Sequence, residues 1–265
     1  MLLFCIFVGL NSRIYFMKIY SILFAWLLVT FAYSQDAETV ESVQGRSVFY
    51  RYSGALGVAV HTQGIKITYQ KAVYENIYGR KFWEIEFSTL KDIKQARVNS
   101  YFGNTKHYYY GKLNNFNSLR LAYGIQKNVS EQGTKGAVNF FYKASAGVSI
   151  GILKPIYLQI VKNDSTVKSP TKEIEKYDIQ KHNASNIWGR AGMFTGILGT
   201  KIYPGIHLNA ALGMNFTSQP DNIREVVVGI QADLFYKKIP IMATYTTPPY
   251  FFTIYLQTYF GKKWN

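Results

Sequence analysis

The chain has 265 residues, 48% of them hydrophobic and 17% charged, with 22 tyrosines, 18 phenylalanines and 4 tryptophans. That composition is too apolar for disorder, and the single cysteine, Cys5, excludes a disulfide framework, a Cys-based metal site or a Cys nucleophile. The formal net charge of +15 points to anionic surfaces, lipid phosphates before nucleic acid for an exported chain.

Export is read from the N-terminus. Met17 and Lys18 open a second start, Ile19 to Ala32 is an apolar run, and Ala32 and Ser34 make an A-x-S cleavage pattern before Gln35. The run is shorter than the roughly 20 residues of a spanning helix. The reading is therefore an N-terminal extension plus cleaved signal peptide over 1–34, a polar lead-in over 35–52, and one domain over 53–265. Losing Arg13 and Lys18 leaves the exported part at +13.

From Ser53 onward the pattern alternates with period two, broken by turn residues. The predicted strands are 53–62, 65–74, 81–90, 117–127, 136–151, 155–163, 188–201, 205–217, 223–236 and 250–261. In 81–90, Trp83, Ile85 and Phe87 share one face, and Phe82, Glu84, Glu86 and Ser88 the other. In 117–127, Leu119, Leu121, Tyr123 and Ile125 oppose Ser118, Arg120, Ala122, Gly124 and Gln126. Tyr142, Ala144, Ala146 and Val148 oppose Phe141, Lys143, Ser145 and Gly147; the later strands repeat the division, with Glu225, Gln231 and Asp233 on one polar face.

A soluble lipocalin-like barrel would put the apolar faces inside. The opposite faces, however, mix Gly, Ala and Ser with paired acids and bases, which suits a narrow polar lumen. The expected fold is all-β: a closed antiparallel up-and-down transmembrane β-barrel of about ten strands, within a range of about 8 to 12. The runs of tyrosine, such as Tyr108, Tyr109 and Tyr110, are read as an interfacial girdle. Ten strands place the long Lys-rich segment 164–187 on the short-turn side, which implies a missed or split strand, with 99–112 and 239–246 as candidates.

Glu84, Glu86, Arg120, Lys143, Glu225 and Asp233 are the expected lumen ion-pair network. Two carboxylates two residues apart on a strand lie about 7 Å apart at their roots, a spacing that also suits acid/base work. Outer-membrane lipid hydrolases carry a His-x-Ser-Asn step that puts both side chains on one strand face. His182-Asn183-Ala184-Ser185-Asn186 has one residue too many for it. His61 and His207 are read as hydrogen-bonded lumen histidines, Tyr177, Asp178 and His182 as a loop cluster able to clasp the loop or bind a cation or sugar, and Asp164-Ser165-Thr166 as an O-glycosylation-like motif. No metal site, cofactor or nucleotide motif is expected.

Several phrases occur together: Gly111-Lys112-Leu113-Asn114-Asn115-Phe116, Leu119-Arg120-Leu121-Ala122-Tyr123-Gly124, Leu153-Lys154-Pro155-Ile156-Tyr157 and Lys176-Tyr177-Asp178 with His182. To these add Tyr203-Pro204-Gly205, Ile239-Pro240-Ile241-Met242-Ala243 and Phe260-Gly261-Lys262-Lys263. Over residues 53 to the end the chain resembles an uncharacterised family of outer-membrane β-barrel proteins from Bacteroidota. The resemblance implies a location and a fold, and no reaction. The expectation is a non-enzymatic structural or accessory outer-membrane component, or a small channel, in contact with outer-membrane lipid and lipopolysaccharide. A lipid A deacylase-like or phospholipase-like hydrolase and a secreted soluble ligand-binding barrel are the alternatives.

Overall fold

The period-two segments form strands that pair in chain order until the sheet meets itself. The structure is a computed structural model describing residues 50–76, 79–92, 95, 97–99, 107–129, 138–162, 171–182, 186–192, 194–216, 221–243 and 247–265. All belong to the unit Val48–Asn265. The proposed extension, signal peptide and most of the lead-in, and the Asp164-Ser165-Thr166 motif, lie outside the described residues.

The strands are β1 (Tyr52–His61), β2 (Gly64–Asn76), β3 (Gly79–Leu90), β4 (Arg97–Val98), β5 (Tyr108–Tyr109), β6 (Asn114–Asn128), β7 (Asn139–Pro155), β8 (Tyr157–Lys162), β9 (Thr171–Lys176), β10 (Ile187–Arg190), β11 (Lys201–Asn215), β12 (Asn222–Phe235) and β13 (Tyr250–Trp264). Eight of them close a barrel in the order β1-β13-β12-β11-β7-β6-β3-β2, each pair antiparallel. The closing pair runs from Tyr52 opposite Trp264 to His61 opposite Tyr255, so the barrel has no free edge.

Eight strands, not ten, make the barrel. The expected strands at 155–163 and 188–201 do not join it as such. Pro155 ends β7, and the chain turns out into β8, which pairs with β9 and β10 in a separate three-stranded sheet. Lys201, the last residue of the second expected strand, begins β11, which runs on through 202–204 along β7 into the expected strand 205–217. Of the two candidate extra strands, the described residues of 99–112 supply the two-residue β5, paired with β4. The segment 239–246 makes isolated bridges, Ile239 with Thr247 and Lys112 with Met242. Eight strands also remove the turn-side conflict. Both ends of the barrel chain lie with the connections 77–78, 129–138 and 216–221, while 62–63, 91–113, 156–200 and 236–249 lie at the other end.

Alternation fixes which face is which. Trp83 is 58% and Leu212 69% exposed, whereas Arg120, between Leu119 and Leu121, is 1% exposed. The apolar faces point out all round the barrel and the polar faces point in. This overturns the soluble lipocalin-like alternative, which needs the reverse.

Aromatic side chains fill the gaps that the small inward residues leave. Phe141 lies opposite Gly213 across the β7–β11 ladder, where its ring occupies the space a Cβ would take. At the long-loop end Leu90, Phe116, Leu153, Phe235 and Phe251 pack against Ile239, Ile241 and Met242 from the β12–β13 connection. That connection is tied down by its backbone: Leu113 N donates to Ile241 O at 2.9 Å and Ala243 N to Gly111 O at 2.7 Å. A further apolar cluster, Tyr108, Ile156, Leu158, Ile160, Tyr177 and Ile187, holds together a cap at the same end. Tyr108 is therefore a core residue of the cap and not part of an interfacial girdle.

Candidate functional site

All six charged residues singled out in the sequence project into the lumen, and the structure pairs each of them. Glu84 accepts from Lys143 Nζ at 2.8 Å and from Ser145 Oγ at 2.6 Å. Glu86 takes Lys66 Nζ at 2.8 Å on one oxygen and Arg120 on the other. Arg120 also forks onto Asp233, Nε to Oδ1 at 2.9 Å and Nη2 to Oδ2 at 2.7 Å, and His207 Nδ1 lies 3.1 Å from the same Oδ1. Arg80 Nη2 holds both oxygens of Glu225 at 2.7 and 2.8 Å, and Gln126 Oε1 at 2.8 Å.

Two of these cations, Lys66 and Arg80, were missed in the sequence reading, although a signal was present. Lys66 alternates with Thr68 and Gln70 opposite Ile65, Ile67 and Tyr69, and Arg80 shares the inward parity of Phe82 and Glu84. The lumen thus holds four cations (Lys66, Arg80, Arg120, Lys143) against four carboxylates (Glu84, Glu86, Glu225, Asp233), all buried. Neutral side chains extend the bonding: Tyr255 OH donates to Asn209 Oδ1 at 2.7 Å, Asn209 Nδ2 to Ser145 Oγ at 3.2 Å, and Gln257 Nε2 to Thr68 Oγ1 at 2.9 Å. The Lys66 ammonium also sits 3.4 Å over the Tyr255 ring, an attractive arrangement for a desolvated cation.

The pairs run from one end to the other. Arg80 and Glu225 lie towards the chain termini, Lys143 and Glu84 follow, then the cluster of Lys66, Glu86, Arg120, Asp233 and His207, and finally the apolar mouth. An eight-stranded barrel has an interior just wide enough for side chains to fill, and here the Arg80–Glu225 and Arg120–Asp233 pairs reach across it, with the other charged pairs beside them.

A serine–histidine contact that the sequence reading did not foresee lies at the rim, with Ser88 Oγ 3.0 Å from His61 Nε2. Gln63 N donates to His61 Nδ1 at 3.2 Å, which places the ring proton on Nε2, where it donates to the serine. That is the wrong tautomer for activating a nucleophile.

In the cap, the loop cluster does assemble. Asp178 N donates to His182 Nδ1 at 3.1 Å, His182 Nε2 faces Glu175 Oε2 at 3.2 Å, and the imidazole stacks on Tyr177 with ring centres 6.1 Å apart. Tyr177 OH accepts from Gly111 N at 3.0 Å, and burial pushes that phenol's pKa above its ordinary value. Both imidazole nitrogens of His182 are engaged within the loop, which makes a clasp. Ser185 lies outside the described residues.

A closed barrel with a charged, paired interior and an apolar exterior is a transmembrane β-barrel. No family model matches the chain, and no curated protein matches it. Among solved structures, Neisserial surface protein A is 7% identical, with 81% of this chain and 95% of that one covered and a TM-score of 0.35. Ail, the attachment invasion locus protein of Yersinia pestis, solved with the heparin analogue sucrose octasulfate, is 7% identical over 82% of this chain and 100% of that one, with a TM-score of 0.35. The outer membrane enzyme PagL is 12% identical over 79% and 97%, with a TM-score of 0.29.

Proposed function

We propose that the chain is a non-conducting, non-enzymatic barrel of the bacterial outer membrane, whose work is to anchor and present its cap. The observation that carries this reading is the filled lumen: the Arg80–Glu225 and Arg120–Asp233 pairs span it, and Ile239, Ile241 and Met242 close its mouth. Such a lumen argues against the small channel that strand pattern alone leaves open. The cap lies with the long connections, which in outer-membrane barrels face the exterior. The reading also rests on the family resemblance.

Exposed cations at the long-loop end support contact with lipopolysaccharide. Four cations and four carboxylates cancel in the lumen, so the excess of basic residues lies elsewhere. Lys91, Arg190, Lys201 and Lys237 are exposed at the long-loop end, where each gains about 1 kcal/mol near an anionic leaflet.

Planar-bilayer recording of the refolded full chain tests the proposal. It predicts insertion without conductance steps; stable ion-conducting steps would contradict it. Hydrolysis of lipid A or phospholipid by the purified protein would favour the hydrolase instead.

A further inference from the structure

Just before β11 the chain displays apolar side chains that the cap does not absorb. Phe194 is 78% exposed, Leu198 is fully exposed, and Ile197 and Ile202 are more than half exposed. In water this display is unfavourable, yet the segment is firmly shaped. Ile197–Gly199 forms one 3-10 turn, closed by Gly199 N to Gly196 O and Thr200 N to Ile197 O, both at 3.1 Å.

Two glycines press this knuckle onto the end of β7. Gly196 has φ 84 and ψ 12, a left-handed conformation that favours glycine, and a Cβ there would collide with the Tyr157 ring. A Cβ on Gly199 would lie 3.0 Å from Pro155 Cγ. The turn is thus backed by Pro155 and Tyr157 while Phe194, Ile197 and Leu198 remain uncovered.

The knuckle continues a surface already assigned. Ile202 begins the outward face of β11, followed by Ile206, Leu208 and Leu212, all exposed members of the barrel's apolar belt. Exposed Arg190 and Lys201 stand on either side of the turn in sequence. An apolar patch joined to a lipid-facing belt and bracketed by cations has the composition of a membrane-interface anchor.

We infer that residues 194–202 insert into the leaflet at the long-loop end, with Phe194, Ile197 and Leu198 among acyl chains and Arg190 and Lys201 at the level of the lipid phosphates. The inference rests on the barrel's membrane placement. It makes the knuckle a second lipid contact, outside the hydrogen-bonded wall, that fixes how the cap sits on the bilayer.

The test uses the full chain with Cys5→Ser and one added cysteine carrying an environment-sensitive fluorophore, reconstituted in phosphatidylcholine–phosphatidylglycerol vesicles. The label is placed at Leu198→Cys, at Leu208→Cys in the belt, or at Ile174→Cys on exposed β9. Lipids bearing a nitroxide near the headgroup should quench the label at 198 several-fold more than at 174, and iodide should do the reverse. Quenching at 198 by iodide as strong as at 174 overturns the inference. So does protection from both quenchers, which would mean that protein, such as a second copy of the chain, covers the knuckle. Failure of lipids bearing a nitroxide deep in the acyl chain to quench the label at 208 would instead remove the membrane placement itself. Heat-dependent gel migration confirms that each labelled variant has folded.

Discussion

Arg80 on β3 and Glu225 on β12 join strands that lie four places apart either way round an eight-strand barrel, the two oxygens of Glu225 at 2.7 and 2.8 Å from Arg80 Nη2. A pair across the full width braces walls that hydrogen-bonded ladders connect only indirectly. Glu225→Gln leaves the guanidinium buried with amide partners and should cost about 3–5 kcal/mol, the range for breaking a buried pair. Replacing both partners, Arg80→Met with Glu225→Leu, should recover most of that loss. Urea unfolding in detergent micelles, followed by tryptophan fluorescence, measures both.

The mouth makes a separate contribution. Ile241 is fully buried among Phe116, Phe235 and Phe251, so Ile241→Ala should destabilise the protein by about 2–5 kcal/mol. It should not open a conducting path, because the charged pairs below it are untouched. Unfolding midpoints combined with bilayer recordings of the variant check the two halves of this expectation.

The barrel was legible in the sequence because period two is imposed by the strand itself: once lipid lies outside, every odd or even residue must match its side. This is why Glu84, Glu86, Arg120, Lys143, Glu225 and Asp233 could be placed on one surface before any partner was known. The strand count was not legible. Residues 157–162 have strand composition, and only pairing with β9 and β10 removes them from the barrel. Partners across the lumen were equally hidden, since Arg80 and Glu225 are brought together by closure and not by spacing. Tyr108 shows the same limit, because a tyrosine near a strand end reads as interfacial until the cap that buries it is seen.

Lys112 lies in the connection before β6, its Nζ 2.8 Å from Gln95 Oε1. Burial pushes its ammonium down to about 8; the Lys91 charge adds to the effect, Asp92 opposes it and Arg190 adds to it. The unfolded chain holds this proton up to its ordinary value near 10.5, so between about 8 and 10.5 the unfolded state binds more protons and stability rises with pH. Lys112→Met removes that contribution. The stability difference between the variant and the parent should therefore shift across that window and be flat below it. A lysine Cε NMR titration should show a midpoint near 8.

His182 is expected to hold the cap and nothing in the barrel. His182→Ala removes the bonds to Asp178 N and Glu175 and should loosen the cap by about 1–3 kcal/mol. Limited proteolysis should then cut within 171–190 faster, while the barrel's unfolding midpoint stays unchanged. Simultaneous loss of a lipid-hydrolysing activity would give His182 a chemical role instead.

The barrel is closed, and its apolar outer face is what lipid would hold. Electrophoresis of membrane-extracted protein in SDS, boiled against unboiled, tests this most directly, because a closed membrane barrel resists the detergent until heated. A faster-migrating unboiled band that shifts on boiling, from protein found in the membrane fraction, is the predicted result. A single unshifted band from protein that stays soluble without detergent would contradict it.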